Sequence, residues 1–144
     1  MDTTGRGRAC YMNEPQSDER RQRILDEVER AGLGIPSWQA VNAVLETLGE
    51  VLPYGTAAYL AASLPDDVGA AVGRHFPVDN AVGDVGRAEF TTAVARRCGC
   101  AADEAEPVIR AVTEAIAVVV PFGVMVNVEH VTPEPLLDLM PRPA

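Results

Sequence analysis

Apolar residues recur along this chain with a helical period. Ile24, Leu25, Val28 and Ala31 form one stripe that stops at Gly32. Trp38, Val41, Val44, Leu45, Leu48, Val51 and Leu52 form a second, clearer stripe that runs to Pro53. Ser17 is the expected cap of the first helix, with Asp18 and Glu19 at the positive end of its dipole, and Ser37 is the expected cap of the second. Thr56 should cap a short helix carrying Ala57, Leu60 and Ala61. Pro65 suits the first turn of another through Val68, Ala71 and Val72, which Gly69 and Gly73 weaken. Phe90, Ala93, Val94 and Cys98 share one face of a fifth helix ending at Gly99. A long sixth helix starts at or just before Asp103, with Pro107 tolerated in its opening turn. Its residues Val108, Ile109, Val112, Ala115, Ile116, Val119 and Val120 cover more than one face, which makes it the expected centre of a bundle.

The pattern also repeats. Pro53-Tyr54-Gly55 is followed twelve residues after its proline by Pro65, and Pro121-Phe122-Gly123 is followed at the same spacing by Pro133. Upstream, at an offset one residue shorter, Gly32-Leu33 matches Gly99-Cys100. The stripe from Trp38 to Leu52 then matches Ala105, Val108, Ala111, Val112, Ala115, Val118 and Val119. One residue of slip before the Pro-aromatic-Gly turn reconciles the two alignments. The expected architecture is all-α, a helical bundle built from two similar multi-helix halves that bury their apolar faces on each other. Residues 1–16 are expected to form a flexible N-terminal arm without apolar period, 17–76 the first unit, 77–87 a linker anchored by Phe76 and Val78, and 88–140 the second unit, packed with the first as one domain. Segment 117–128 opposes the scheme, because its β-branched residues alone would draw a β-hairpin. The repeat outweighs that preference: the counterpart segment is Ala-rich, and a two-stranded hairpin is marginal by itself.

Charge narrows the partners. The chain has 144 residues, a net charge of -9, and twelve basic residues that are all Arg. Such an acidic body repels a phosphate backbone, so no nucleic acid is expected. No apolar run reaches the length of a membrane span, and the polar start lacks a signal-peptide core, so the expected setting is cytoplasmic, away from membranes. Three scattered cysteines fit a reducing compartment.

Reactive groups are few. Cys98 and Cys100 could bind a metal or exchange disulfides, but a tetrahedral site needs four ligands, and only Cys10, His75 and His130 remain. Both cysteines occupy positions expected to be small core residues, and both histidines are expected to be structural. Trp38 should be buried against a neighbouring helix. Glu46 and Glu50, four apart on one helix, repel slightly and could receive a cation or a partner's Arg. Asp66, Asp67 and Glu134, and Asp103 with Glu104 and Glu106, are placed to favour helix starts. A Gly-Lys-Ser/Thr phosphate loop is impossible without Lys.

Several segments together resemble a known family. Val28-Glu29-Arg30-Ala31-Gly32-Leu33, Ala43-Val44-Leu45-Glu46-Thr47-Leu48-Gly49, Leu52-Pro53-Tyr54-Gly55 and Leu60-Ala61-Ala62-Ser63-Leu64-Pro65 look like the bacterial family of uncharacterised proteins called DUF2267. Val94-Ala95-Arg96-Arg97, Ile109-Arg110-Ala111-Val112 and the Pro121 turn echo it. The resemblance spans residues 22 to 140, with departures at Pro107 and in the valine-rich segment 118–131. It implies an all-helical protein of duplicated units and carries over no catalytic residue.

The expected function is therefore a non-enzymatic helical module for protein–protein interaction or scaffolding, with self-association among the options. The alternative is a small-molecule-binding regulatory protein with a pocket between the halves. No catalytic, cofactor-binding or metal-binding residue is assigned, and no cofactor is expected.

Overall fold

The computed structural model describes residues 8–74, 86–132 and 134–140. The described residues form seven α-helices and a terminal 3-10 helix, without a strand. In order these are α1 (Arg8–Arg30), α2 (Ser37–Val51), α3 (Tyr54–Ala62), α4 (Asp66–Gly73), α5 (Arg87–Cys98), α6 (Ala102–Val119), α7 (Phe122–Val131) and the 3-10 helix Glu134–Leu139. The expected all-α class holds, and the valine-rich stretch is helical. Packing overrides local propensity there: Val124, Met125 and Val128 are buried along one side of α7.

Two helices form the middle of the protein. α2 packs on α1, α4, α5 and α6, while α6 packs on α1, α2, α5 and the 3-10 helix. Elements from the two ends of the chain interleave, since α1 lies on α6 and α5 lies on α2. α3 bridges α4 and α7. The interior is one cluster that includes Ile24, Leu45, Leu48, Leu60, Ile109, Ile116 and Leu136, with Phe90 the largest fully buried side chain. Burying each such side chain contributes about 1.5–3 kcal/mol, most of which offsets the entropy of ordering the chain.

Glycines set how closely the helices approach. A Cβ on Gly49 would strike the backbone carbonyl of Val72, and one on Gly69 would strike the carbonyl of Ala61. Gly69 is therefore what lets α4 lie against α3, rather than only a weak helix former. Gly99 ends α5 in the left-handed conformation, φ 72°, and donates to the Ala95 carbonyl at 2.8 Å.

The helix starts differ from those expected. α1 begins at Arg8, so Ser17 lies inside it, and the segment taken as an arm is helical from that residue on. Pro15 and the missing apolar period made it look like a break. Residues 1–7 lie outside the described residues, as does Pro133. Pro36, Pro53 and Pro65 hold the N-cap positions of α2, α3 and α4, without a side-chain cap bond, so neither Ser37 nor Thr56 caps a helix. Proline does this job because its fixed φ and extended ψ lead the chain into the first turn. Pro107 is the sixth residue of α6 and so stands in the second turn, on the exposed side. α5 starts at Arg87, inside the segment taken as linker, and Phe76 and Val78 lie outside the described residues.

Register also shifts. Leu52 and Val120 both leave their helices in extended conformation, donating to the Leu48 and Ile116 carbonyls. Leu52 and Val120 thus hold equivalent places at the ends of α2 and α6, one residue off the expected match of Leu52 with Val119. Accordingly Val51 is buried, whereas Val118, expected to match it, is 47% exposed.

Candidate functional site

Arginine forks join the helices at their surfaces. Glu46 and Glu50, expected to stand open for a cation or a partner's Arg, instead meet arginines of their own chain. Arg97 of α5 reaches Glu50 Oε1 at 2.7 Å, Thr47 Oγ1 at 2.8 Å and Glu46 Oε1 at 3.7 Å. Arg74, at the end of α4, reaches Glu46 Oε2 at 2.5 Å and Asn42 Oδ1 at 3.1 Å. Thr47 is buried, and its hydroxyl donates to the Ala43 carbonyl at 2.7 Å while accepting from Arg97. Arg20 of α1 donates to the Ser63 carbonyl and, at 3.3 Å, to that of Val119. Both carbonyls lie at helix C-terminal ends, where a cation complements the dipole. Arg21 pairs with Asp67 at 2.6 Å and covers Trp38, its guanidinium 5.1 Å from the ring centroid. Trp38 is thus half-buried: it packs against the core as expected, and its open side lies under the Arg21 cation of α1 instead of being fully covered.

A third clamp joins α5, α6 and the 3-10 helix. Arg87 holds Glu106 bidentately, Nε to Oε2 at 2.9 Å and Nη2 to Oε1 at 2.8 Å, and reaches Asp138 at 3.3 Å. Arg110 donates to the Asp138 carbonyl at 2.7 Å. Glu106 therefore acts between helices instead of favouring a helix start. That second task falls to Glu104, which accepts from the Ala101 N–H at 2.9 Å. The hydrogen bonds from Arg87, and then its charge, hold the Glu106 carboxyl below its usual range, although partial burial opposes them. A carboxyl with a lowered folded-state pKa stabilises the fold above its unfolded pKa, about 4.3. That contribution disappears as pH falls through the lowered value. Glu106→Gln should therefore lower the melting temperature at pH 7 and flatten its dependence on pH below about 5. Parallel acid melts of the two proteins check this, and identical slopes would contradict it.

The thiols lie where helix α5 ends. Cys98 is buried, while Cys100 is only half-buried, because it follows the Gly99 turn out of the helix. Burial and the neighbouring Cys100 push the Cys98 thiol up to about 11, and burial also raises Cys100. The reactive thiolate is thereby disfavoured at neutral pH. His130 stands exposed in the last turn of α7, and His75 lies outside the described residues. Among the described residues no three His, Cys, Asp or Glu are grouped to hold a metal ion. No described helix is long and apolar enough to cross a membrane.

Two surface features remain. The first is an open cleft of about 400 Å³ between α2, the end of α4 and α5, where Trp38, Gln39, Asn42 and Glu46 face Arg74 and Arg97. The second is a set of exposed large apolar side chains. Tyr54 is 49% exposed, Tyr59 56%, Phe122 62%, Val118 47% and Val126 40%. Tyr54 and Tyr59 belong to α3, Phe122 and Val126 to α7, and Val118 to the last turn of α6. α3 and α7 pack on one another. Each Pro-aromatic-Gly triplet thus starts a helix, with proline as N-cap and the aromatic residue in the first turn.

The aromatic face and the arginine clamps escaped the sequence reading. The available signals were the use of Arg to the exclusion of Lys, and the aromatic-Gly pair after each proline. No curated protein matches the chain. Among protein-family models, DUF2267, described as an uncharacterized conserved protein, matches residues 21–139. With that match over most of its length, the chain belongs to the DUF2267 family.

Proposed function

We propose that this protein is a non-enzymatic docking module, built from two related helical units, that acts through protein–protein contact on its α3–α7 face. The observation that carries this is the exposure of Tyr54 and Tyr59 on α3 and of Phe122 and Val126 on α7, two helices that pack on one another, with Val118 exposed in the last turn of α6. A monomer's largest apolar patch is commonly functional, since scattered single residues need no explanation but a grouped set does. Tyr and Phe also supply large, rigid contact area at low entropic cost. The net charge of -9 speaks against a phosphate backbone as partner. Site-specific cross-linking in cells tests the proposal. A benzophenone side chain in place of Phe122 should give discrete protein adducts on illumination. The same group at Asp103, exposed at the opposite end of α6, should not. Absence of adducts at Phe122, or equal adducts at both positions, would overturn the docking role.

A small-molecule reading draws on the cleft by Trp38, whose Arg74, Gln39 and Asn42 offer donors beside an aromatic ring. Native mass spectrometry of the purified protein decides that case: a bound mass displaced by Arg74→Ala supports it, and an empty chain counts against it.

A further inference from the structure

We infer that the partner on the α3–α7 face is a second copy of this chain, joined in a two-fold symmetric dimer. This rests on the docking role proposed above and gives it one occupant.

Area is the first argument. The aromatic side chains Tyr54, Tyr59 and Phe122, each about half or more exposed, leave roughly 300 Å² of apolar surface open. Val118 and Val126 extend it. A standard interface buries about 800 Å² per partner, of which somewhat over half is apolar. The face is thus about the size of the apolar centre that a dimer needs, with polar surroundings to complete the rim.

Charge is the second. On a chain of net charge -9, two copies repel unless they meet where charge is missing. α3 has no charged residue from Tyr54 to Ala62, and the exposed positions of α7 are Phe122, Gly123, Val126 and His130. The one acid of these two helices, Glu129, is half-buried with Oε2 out of solvent, so a basic partner would find little to pair with there. A second copy would meet no exposed acid of α3 or α7.

Glycine placement is the third. Gly55 and Gly123 each follow an exposed aromatic residue in the first turn of α3 and α7, and a Cβ at either would meet nothing within 4 Å. The folded chain itself therefore does not need glycine at these points, unlike Gly49 and Gly69. Glycine weakens a helix relative to Ala, so its use here has another physical purpose. The bare backbone admits close approach of a helix from outside, with the neighbouring aromatic residues packing beside it. An isologous dimer places such a helix on each copy at once, because the same patch serves both partners.

Sedimentation velocity of the full chain across concentration tests this. The unaltered protein should shift from monomer to dimer as concentration rises. Phe122→Glu with Tyr59→Glu should weaken the dimer by about thirtyfold or more, as expected for two aromatic anchors at an interface centre. Gly55→Ala with Gly123→Ala supplies a variant that folds at least as well. It should keep or raise the melting temperature while weakening dimerisation, a combination that a purely structural role would not give. A chain that stays monomeric at every concentration overturns the dimer. The docking role falls with it only if benzophenone at Phe122 also yields no adduct with any other protein. A dimer unaffected by both sets of substitutions would place self-association on another surface and overturn the inference as well.

Discussion

Gly49→Ala should destabilise the protein by about 2–3 kcal/mol, although an alanine in mid-helix ordinarily stabilises by about 1 kcal/mol. The reversal follows from the approach of α4 to α2. A Cβ at residue 49 would stand 3.0 Å from the carbonyl carbon of Val72 and closer still to its oxygen. That neighbour is backbone, so relief requires moving α4 rather than turning a side chain. Gly69→Ala should behave similarly, since its Cβ would stand 3.1 Å from the Ala61 carbonyl carbon on α3. Thermal melts should show a fall of about 10 °C for either variant. Gly55→Ala and Gly123→Ala, facing open space, should show no such fall. An unchanged or raised melting temperature for Gly49→Ala would mean that α2 and α4 are farther apart than described.

Phe90→Ala should cost still more, about 3–5 kcal/mol. Phe90 is fully buried on α5, the helix that joins α2, α6 and the 3-10 helix. Removing its ring takes away transfer energy and leaves a cavity that the surrounding helices cannot collapse to fill. Against a total stability of about 5–15 kcal/mol, that loss brings the protein near its unfolding threshold. In urea titrations the midpoint should drop sharply while the slope stays constant, because the same surface is exposed on unfolding. Phe90→Leu, which fills most of the space, should fall in between. A midpoint close to that of the unaltered chain would contradict the placement of Phe90 at the centre.

Much of this core is visible in the residue pattern. Leu45, Leu48, Ile109, Val112 and Ile116 recur at helical spacing and are buried together. The helix-turn-helix expected over 117–128 from the repeat, against its β-branched composition, also holds, with Val124, Met125 and Val128 buried in α7. Helix starts were harder to read. Ser37 and Thr56 have cap chemistry, yet a neighbouring proline takes each cap position, and hydroxyl preference alone does not weigh the two. Long-range pairing was not legible either. Nothing local distinguishes Arg97, which binds Glu50 across helices, from its neighbour Arg96, which is exposed. The docking face was obscured for a related reason. In sequence Tyr54 and Phe122 only mark Pro-aromatic-Gly turns, and the packing of α3 on α7 decides which side of each helix stays outside.

Hydroxyl-radical footprinting of the protein at a dilution where it is monomeric probes that face residue by residue. Tyr54, Tyr59 and Phe122 should be oxidised readily, and Phe90 should be protected. Protection of Tyr59 and Phe122 to the level of Phe90 would show that the chain already covers this surface itself, and the docking role would then have no place to act.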